Sequence, residues 1–271
     1  VTAYLARPDG RDGGTLFFMT WQPVETVPID LDTGIAPERA QAIAAALTRR
    51  ALPLLRLLDG RPEPLASAAL FRADGRWLVL TCRHLFETGA ALGDLGVPLG
   101  ASGRILWLRA AAPRVIEHPT RDLAFIVIGD AAAAQRLARH WPAAPLVPEE
   151  VAAGGEIFVV AGYPYAQTRR ADAVVYARPV VLFTRARCAG ADELRVAYAR
   201  TARRLDGIDI HAPPLDGVSG ATCWAVAAAG EDREACILRP AGVQVAFTHS
   251  REIRAEALAA AREMFERLRA S

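Results

Sequence analysis

The sequence predicts an all-β protein with added helices. Many short apolar runs with strand character are separated by turn signals, and only a few stretches carry helical periodicity. Of its 271 residues, 52% are hydrophobic and 23% charged, an ordinary globular balance that excludes a disordered or fibrous chain. That length suits one large β domain with appendages or two domains.

Thr15 to Trp21 (TLFFMTW) follows a Gly/Asp-rich turn and predicts a strand. Pro37 to Thr48 predicts a helix. Pro37 suits a first turn, and Ala40, Ile43, Ala44 and Leu47 form a stripe at helical spacing. Ala51 to Leu58 is an apolar run that stops at Asp59-Gly60. Leu65 to Arg72, the Asp74-Gly75 turn and Trp77 to Cys82 predict a tight hairpin. Short strands are then expected at 104–109, 123–128, 157–161, 174–177, 180–185, 193–198, 222–227 and 241–247, with a helix or turn over 131–139. Arg251 to Ala270 predicts a C-terminal amphipathic helix. Ser250 is placed to cap it, and Ile253, Ala257, Ala261, Met264, Phe265 and Leu268 lie on one side.

Charge and cysteine usage narrow the function classes. The net charge of +2 is too small to argue for nucleic acid. All 32 basic residues are arginine. Nine of them fall between Tyr165 and Asp206 against four carboxylates, so that segment is net +5 and the remainder net −3. Solvated strand faces account for such a run; an anionic partner or an acidic stretch of a protein substrate is the alternative. Four cysteines without a paired spacing, and no signal-like apolar run near Val1 to Gly10, predict a cytoplasmic protein, with a mature secreted form still compatible. No stretch is long and apolar enough to predict a membrane span. Cys82 and His84 could begin a metal site, but no second ligand pair has zinc spacing, so no metal is expected.

Three segments carry candidate chemistry. In Trp77 to Glu87 (WLVLTCRHLFE) a strand delivers His84 just past its end. In His118 to Ile128 (HPTRDLAFIVI) Asp122 stands at the edge of an apolar strand. In Pro213 to Trp224 (PPLDGVSGATCW) Ser219 lies between Gly217 and Gly220, in a turn whose amides can face a substrate oxygen. Each alone is ordinary: histidine, aspartate and serine occupy strand ends and turns for structural reasons. Together they stand in the chain order His, Asp, Ser, which is one of the known orders of a hydrolytic triad.

With those residues the sequence resembles the trypsin/chymotrypsin-like serine peptidases over about residues 51 to 250, and more closely their bacterial and viral-type branch. LTCRH is similar to the family's strand leading to TAAHC, RDLAFIVI to its D-I/L-A-L-L strand, and LDGVSGA to G-D-S-G-G-P. ASAALF at 66–71, VVAGYP at 159–164 and AGVQVAF at 241–247 are supporting matches. The resemblance implies a chymotrypsin-like double six-stranded β-barrel. It places an N-terminal extension with one helix at 1–50, a first barrel with His84 and Asp122 at 51–148, a second barrel with Ser219 at 149–250, and a C-terminal helix at 251–271.

It also implies roles. Ser219 is the nucleophile, His84 its base, and Asp122 the group that orients the imidazole. The amides of Gly217 and Ser219 form the oxyanion hole, and Pro213, Gln244, Val245 and Ala246 border the substrate, with His249 also near the pocket. Neither metal nor organic cofactor is implied. The expected partner is a protein or peptide substrate, with a regulatory protein docking on the N-terminal extension as a further expectation; membrane and nucleic-acid partners are not expected. Regulated proteolysis inside a bacterial cell is what the branch implies. Two departures bear on this. Val218 stands where the family has aspartate, so the ion pair with a freed N-terminus that activates secreted zymogens cannot form. Ala221 and Thr222 replace Gly-Pro. The alternatives are an inactive trypsin-like module that binds a peptide in the cleft, an esterase-type acyl hydrolase with the same triad, and an anion-binding scaffold using the arginine-rich segment.

Overall fold

The structure is a computed structural model that describes residues 20–87, 89, 91–100, 103–146, 157–171, 174–190, 192–229, 232–248 and 251–270. Of the predicted strand 15–21, residues 15–19 lie outside the described residues, as do His249 and Ser250.

The extension contributes strands β1 (Thr20–Pro23) and β2 (Val27–Asp30) and helix α1 (Pro37–Thr48). Pro37 opens α1, and its Ala40, Ile43, Ala44 and Leu47 stripe is buried as the periodicity predicts.

The first barrel region runs through β3 (Leu52–Leu58), β4 (Arg61–Ala73), β5 (Arg76–Thr81), the single turn α2 (His84–Glu87), β6 (Leu95–Pro98), β7 (Ile105–Trp107), β8 (Pro113–Glu117), β9 (Ala124–Ile128), α3 (Ala131–His140) and the short β10 (Ala144–Pro145). Asp59-Gly60 and Asp74-Gly75 all have positive φ, as the two tight hairpins β3–β4 and β4–β5 require. Asp130 caps α3 by accepting from the Ala133 amide at 2.6 Å. The strand order is β7-β6-β3-β4-β5-β9-β8, with β10 parallel to β4.

The second region holds β11 (Ile157–Gly162), β12 (Thr168–Ala171), β13 (Val174–Ala177), β14 (Val180–Ala189), β15 (Glu193–Ala197), β16 (Thr201–Arg204), β17 (Asp209–His211), β18 (Thr222–Ala229), β19 (Asp232–Thr248), β20 (Glu252–Ala257) and α4 (Leu258–Ala270). Six of these strands close a barrel in the order β11-β18-β19-β20-β15-β14, sealed by β11 pairing with β14. The extension joins it: β2 lies between β14 and β16 in the same sheet, and β1 forms a small sheet with β13 and β12. The molecule is thus a mostly-β, two-barrel structure of the chymotrypsin-like kind, its second barrel fully closed.

Three apolar clusters explain the patterning. Leu70, Val79 and Ile126 face the interior of the first region, while Phe158, Val160 and Leu182 fill the second barrel. Alternate residues of the same strands, Phe71, Leu78 and Phe125 with Val159, Val181 and Phe183, meet in a third cluster shared with α1 and α4. Strands buried on both faces read as continuous apolar runs such as LAFIVI, without alternation. The described part of the extension is therefore built into the barrels' common core.

The C-terminal helix needs a correction at its start. It begins at Leu258, and residues 252–257 of the expected helix form β20. Ile253, Ala255 and Ala257 are buried on one face; on the other Arg254 is exposed and Glu256 is covered, 3.8 Å from Arg121. Ile253 and Ala257 also satisfy helical spacing, so the sequence pattern fits both. Closure decides it, because β20 supplies the hydrogen-bonded partner between β19 and β15.

Candidate active site

β5 and β9 are antiparallel neighbours, with Thr81 opposite Ala124. Chain segments just past the end of one and just before the start of the other are therefore brought together, and these hold His84 and Asp122. The Asp122 carboxylate grips the histidine twice. Oδ1 accepts from the His84 backbone amide at 2.8 Å, and Oδ2 from Nδ1 at 2.6 Å. Since the carboxylate only accepts, Nδ1 carries a proton and Nε2 is the basic position of the neutral ring. The hydrogen bond that Nδ1 donates to Asp122 raises the His84 pKa well above the ordinary imidazole value, reinforced by the Cys82 contact and opposed by burial. Burial acts to raise the Asp122 pKa, but the His84 ring and backbone donors outweigh it and hold it below the usual carboxylate value. Arg83 points away, toward Glu87 and the His118 carbonyl.

Ser219 lies in the loop between β17 and β18 and is half-buried. Gly217 and Gly220 on either side have φ of +91° and +89°. At Gly220 a Cβ would overlap the Ser67 carbonyl oxygen and the Thr81 hydroxyl; at Gly217 it would come within 2.6 Å of the Tyr165 ring. Both positions thus require glycine for conformation and for space.

The loop is held by a lattice of backbone bonds. Asp216 C=O accepts from Tyr165 N–H at 2.7 Å, and Val218 C=O from Ala221 N–H at 2.9 Å. In a trans peptide the N–H points opposite to its C=O. The Gly217 and Ser219 amides therefore project away from those anchors, and neither meets an acceptor among the described residues. By contrast, Val218 N–H bonds to Leu215 C=O and Gly220 N–H to Gln244 C=O. Two unpaired N–H groups beside Ser219 are what an oxyanion needs.

Ser67 on β4 joins this loop to the first barrel region. Its N–H donates to the Ser219 carbonyl at 2.8 Å, its hydroxyl donates to the Gly217 carbonyl at 3.0 Å, and the same hydroxyl accepts from Tyr163 N–H at 2.9 Å. Thr81 Oγ1, at the end of the strand that leads to His84, donates to the Ser67 carbonyl at 3.0 Å. Ser219 is thereby docked against the strand ends that deliver the histidine. Among the described residues no hydrogen bond joins Ser219 Oγ to His84. The imidazole Nε2 instead faces the buried Cys82 thiol at 3.5 Å.

The expected substrate-bordering residues are placed as follows. Pro213 is buried, and its carbonyl accepts from Tyr198 Oη at 2.5 Å. Gln244 bonds through its backbone to Gly220 and Ala221, and its buried Oε1 has no partner among the described residues. Val245 sits at a bulge in β19, and it and Ala246 pack against the first region's apolar cluster. Sequence reasoning did not single out Ser67, Thr81 or Tyr165. Their roles are contacts between barrels, although the family-like segments ASAALF and LTCRH contain Ser67 and Thr81, and VVAGYP ends beside Tyr165.

The model of the trypsin-like peptidase domain family matches residues 66–231, so the chain belongs to that family. No curated protein matches the sequence. One similar solved chain comes from a study of how aromatic interactions drive the coupled folding and binding of the intrinsically disordered VPg protein of Sesbania mosaic virus. It shares 13% identity with a TM-score of 0.45, over 76% of this chain and 85% of that one.

Proposed function

We propose that the protein is a serine endopeptidase in which Ser219 attacks the peptide carbonyl, His84 moves the proton and Asp122 orients the imidazole. The observation that carries this reading is the double grip of Asp122 on His84 beside a serine loop whose two amides are unpaired. Ser219 Oγ bonds to the carbonyl carbon as its proton passes to His84 Nε2, and the Gly217 and Ser219 amides receive the developing negative oxygen. The imidazolium then returns the proton to the departing amine as the C–N bond breaks. Water releases the acyl group by the same route, restoring Ser219. For this, the ring, whose pKa Asp122 and Cys82 raise, gives its Nε2 proton to solvent as Nε2 exchanges its Cys82 neighbour for Ser219 Oγ. Asp122 supports the cycle by stabilising the imidazolium formed at each proton transfer.

The contact between Nε2 and Cys82 favours one rival, a binding module whose triad is never assembled. The same experiment separates the two. Labelling with a fluorophosphonate probe is expected for the wild type and abolished in Ser219→Ala, with the melting temperature of the variant little changed. No labelling of the wild type in the presence of peptide substrates would overturn the peptidase reading.

A further inference from the structure

A groove of about 480 Å³ opens between β3–β4 and the β12–β13 hairpin, beside the serine loop. Tyr165 forms part of its wall. Its ring lies against Gly217, its amide holds the Asp216 carbonyl, and its hydroxyl donates to the Leu65 carbonyl. The groove and the serine loop thus share one residue, Tyr165, while β19 holds the same loop at Gly220 and Ala221. A polypeptide running along β19 and across Ser219 would carry its far half over Tyr165 into this groove.

The lining is basic. Arg56 and Arg170 face it with a single carboxylate, Glu63. Glu63 stands 3.8 Å from an Arg56 terminal nitrogen, and Arg56 Nε is shielded from solvent with no acceptor among the described residues. Arg170 is exposed and has no ion-pair partner among the described residues. Its neighbour across the hairpin, Val175, lines the same groove, whereas Arg169 stacks on Tyr176 at 5.0 Å on the opposite face. Pro62 and Pro64 supply stiff walls. From 165 to 178 the chain has three arginines and one acidic residue, Asp172, which lies outside the described residues.

We propose that this groove selects an acidic side chain of the substrate, placed beyond the scissile bond on the side away from β19. The inference rests on the peptidase reading and names the class of substrate it takes, a polypeptide with Asp or Glu near the cleavage point. A carboxylate in the groove would accept from the Arg170 guanidinium and from the terminal nitrogens of Arg56, which Glu63 approaches only to 3.8 Å. A wall shared with the serine loop and a lining with only two arginines favour a polypeptide over a nucleic acid, which would need a basic track extending along the surface.

The experiment is cleavage-site profiling of a mixed peptide library by mass spectrometry, with wild type, Arg170→Glu, Arg56→Gln and a remote control, Arg136→Glu on α3. Wild type and control should enrich Asp or Glu at one position on a single side of the cut. Arg170→Glu should lower that preference by about tenfold and admit Lys or Arg there. Unbiased cleavage, or a bias unchanged in both groove variants, would overturn the groove while leaving the peptidase reading intact. A second measurement reads the groove without turnover: anisotropy of a fluorescein-labelled deca-glutamate against deca-glutamine, on Ser219→Ala with and without Arg170→Glu. Equal binding of the two peptides, or tighter binding of a single-stranded oligonucleotide, would refute it. Failure of fluorophosphonate labelling bears on the peptidase reading alone.

Discussion

Ser67→Ala tests the reasoning about the site most directly. The side chain is fully buried and makes two hydrogen bonds across the boundary between the barrels, to the Gly217 carbonyl and from the Tyr163 amide. Alanine preserves the strand and removes both partners at once. The Tyr163 amide and the Gly217 carbonyl are left without their partner. A stranded buried polar group costs about 1–3 kcal/mol, so the pair should lower stability by about 2–6 kcal/mol. At about 2–4 °C per kcal/mol for a chain near this size, the melting temperature should fall by about 4–24 °C. The loop's own backbone bonds survive, but Gly217 loses the contact that sets its tilt. Fluorophosphonate labelling of Ser219 should then slow by at least about tenfold, because misplacing one oxyanion donor costs a few kcal/mol of barrier. Differential scanning fluorimetry and timed labelling give both numbers. A melting point within about 2 °C of wild type together with unchanged labelling would refute the claim that Ser67 docks the serine loop.

Gly220→Ala should be more severe. It combines a left-handed backbone with overlap on the Ser67 carbonyl and Thr81 hydroxyl, so a loss of at least about 3 kcal/mol and of labelling is expected; native-like melting would contradict the close approach. Titration gives an independent check. With the His84 pKa raised to about 10, its pairing with Asp122 contributes fully below the unfolded imidazole value of about 6.5 and is lost as pH rises toward about 10. Wild type should therefore lose stability relative to Asp122→Asn across that window, measured by urea melts, and the acid limb of labelling should move to lower pH in the variant. Parallel stability curves for the two proteins would mean that the pair is not charged in the folded state.

Much of the architecture was legible because local physics carried it. The two Asp-Gly hairpins followed from a turn that needs positive φ at both central residues, and α1 from a proline start and an apolar stripe. His84 and Asp122 could be named because each stands at the end of an unmistakable strand. Strands such as β6, β8, β16 and β17 were missed. They are short, and β16 and β17 at the sheet's edge bury little apolar surface. The limit is clearest at 252–257, where Ile253 and Ala257 serve a helix or a strand equally well.

The sequence by itself determined the fold class, the family-like order of His84, Asp122 and Ser219, and the need for glycine around the serine. Those depend on residue type, spacing and local backbone conformation, which a linear chain states directly. Tertiary structure alone decided that the C-terminal segment closes a barrel before it turns helical, and that the extension supplies strands to the second region and core shared by both. It also decided that Ser67 and Thr81 tie the serine loop to the strand that delivers His84. These are pairings between residues up to about 175 positions apart in the chain, as Arg204 and Ile29 are. Their partners exist only once the barrels have closed, because a hydrogen-bonding edge or a buried acceptor has no signature of its own in sequence.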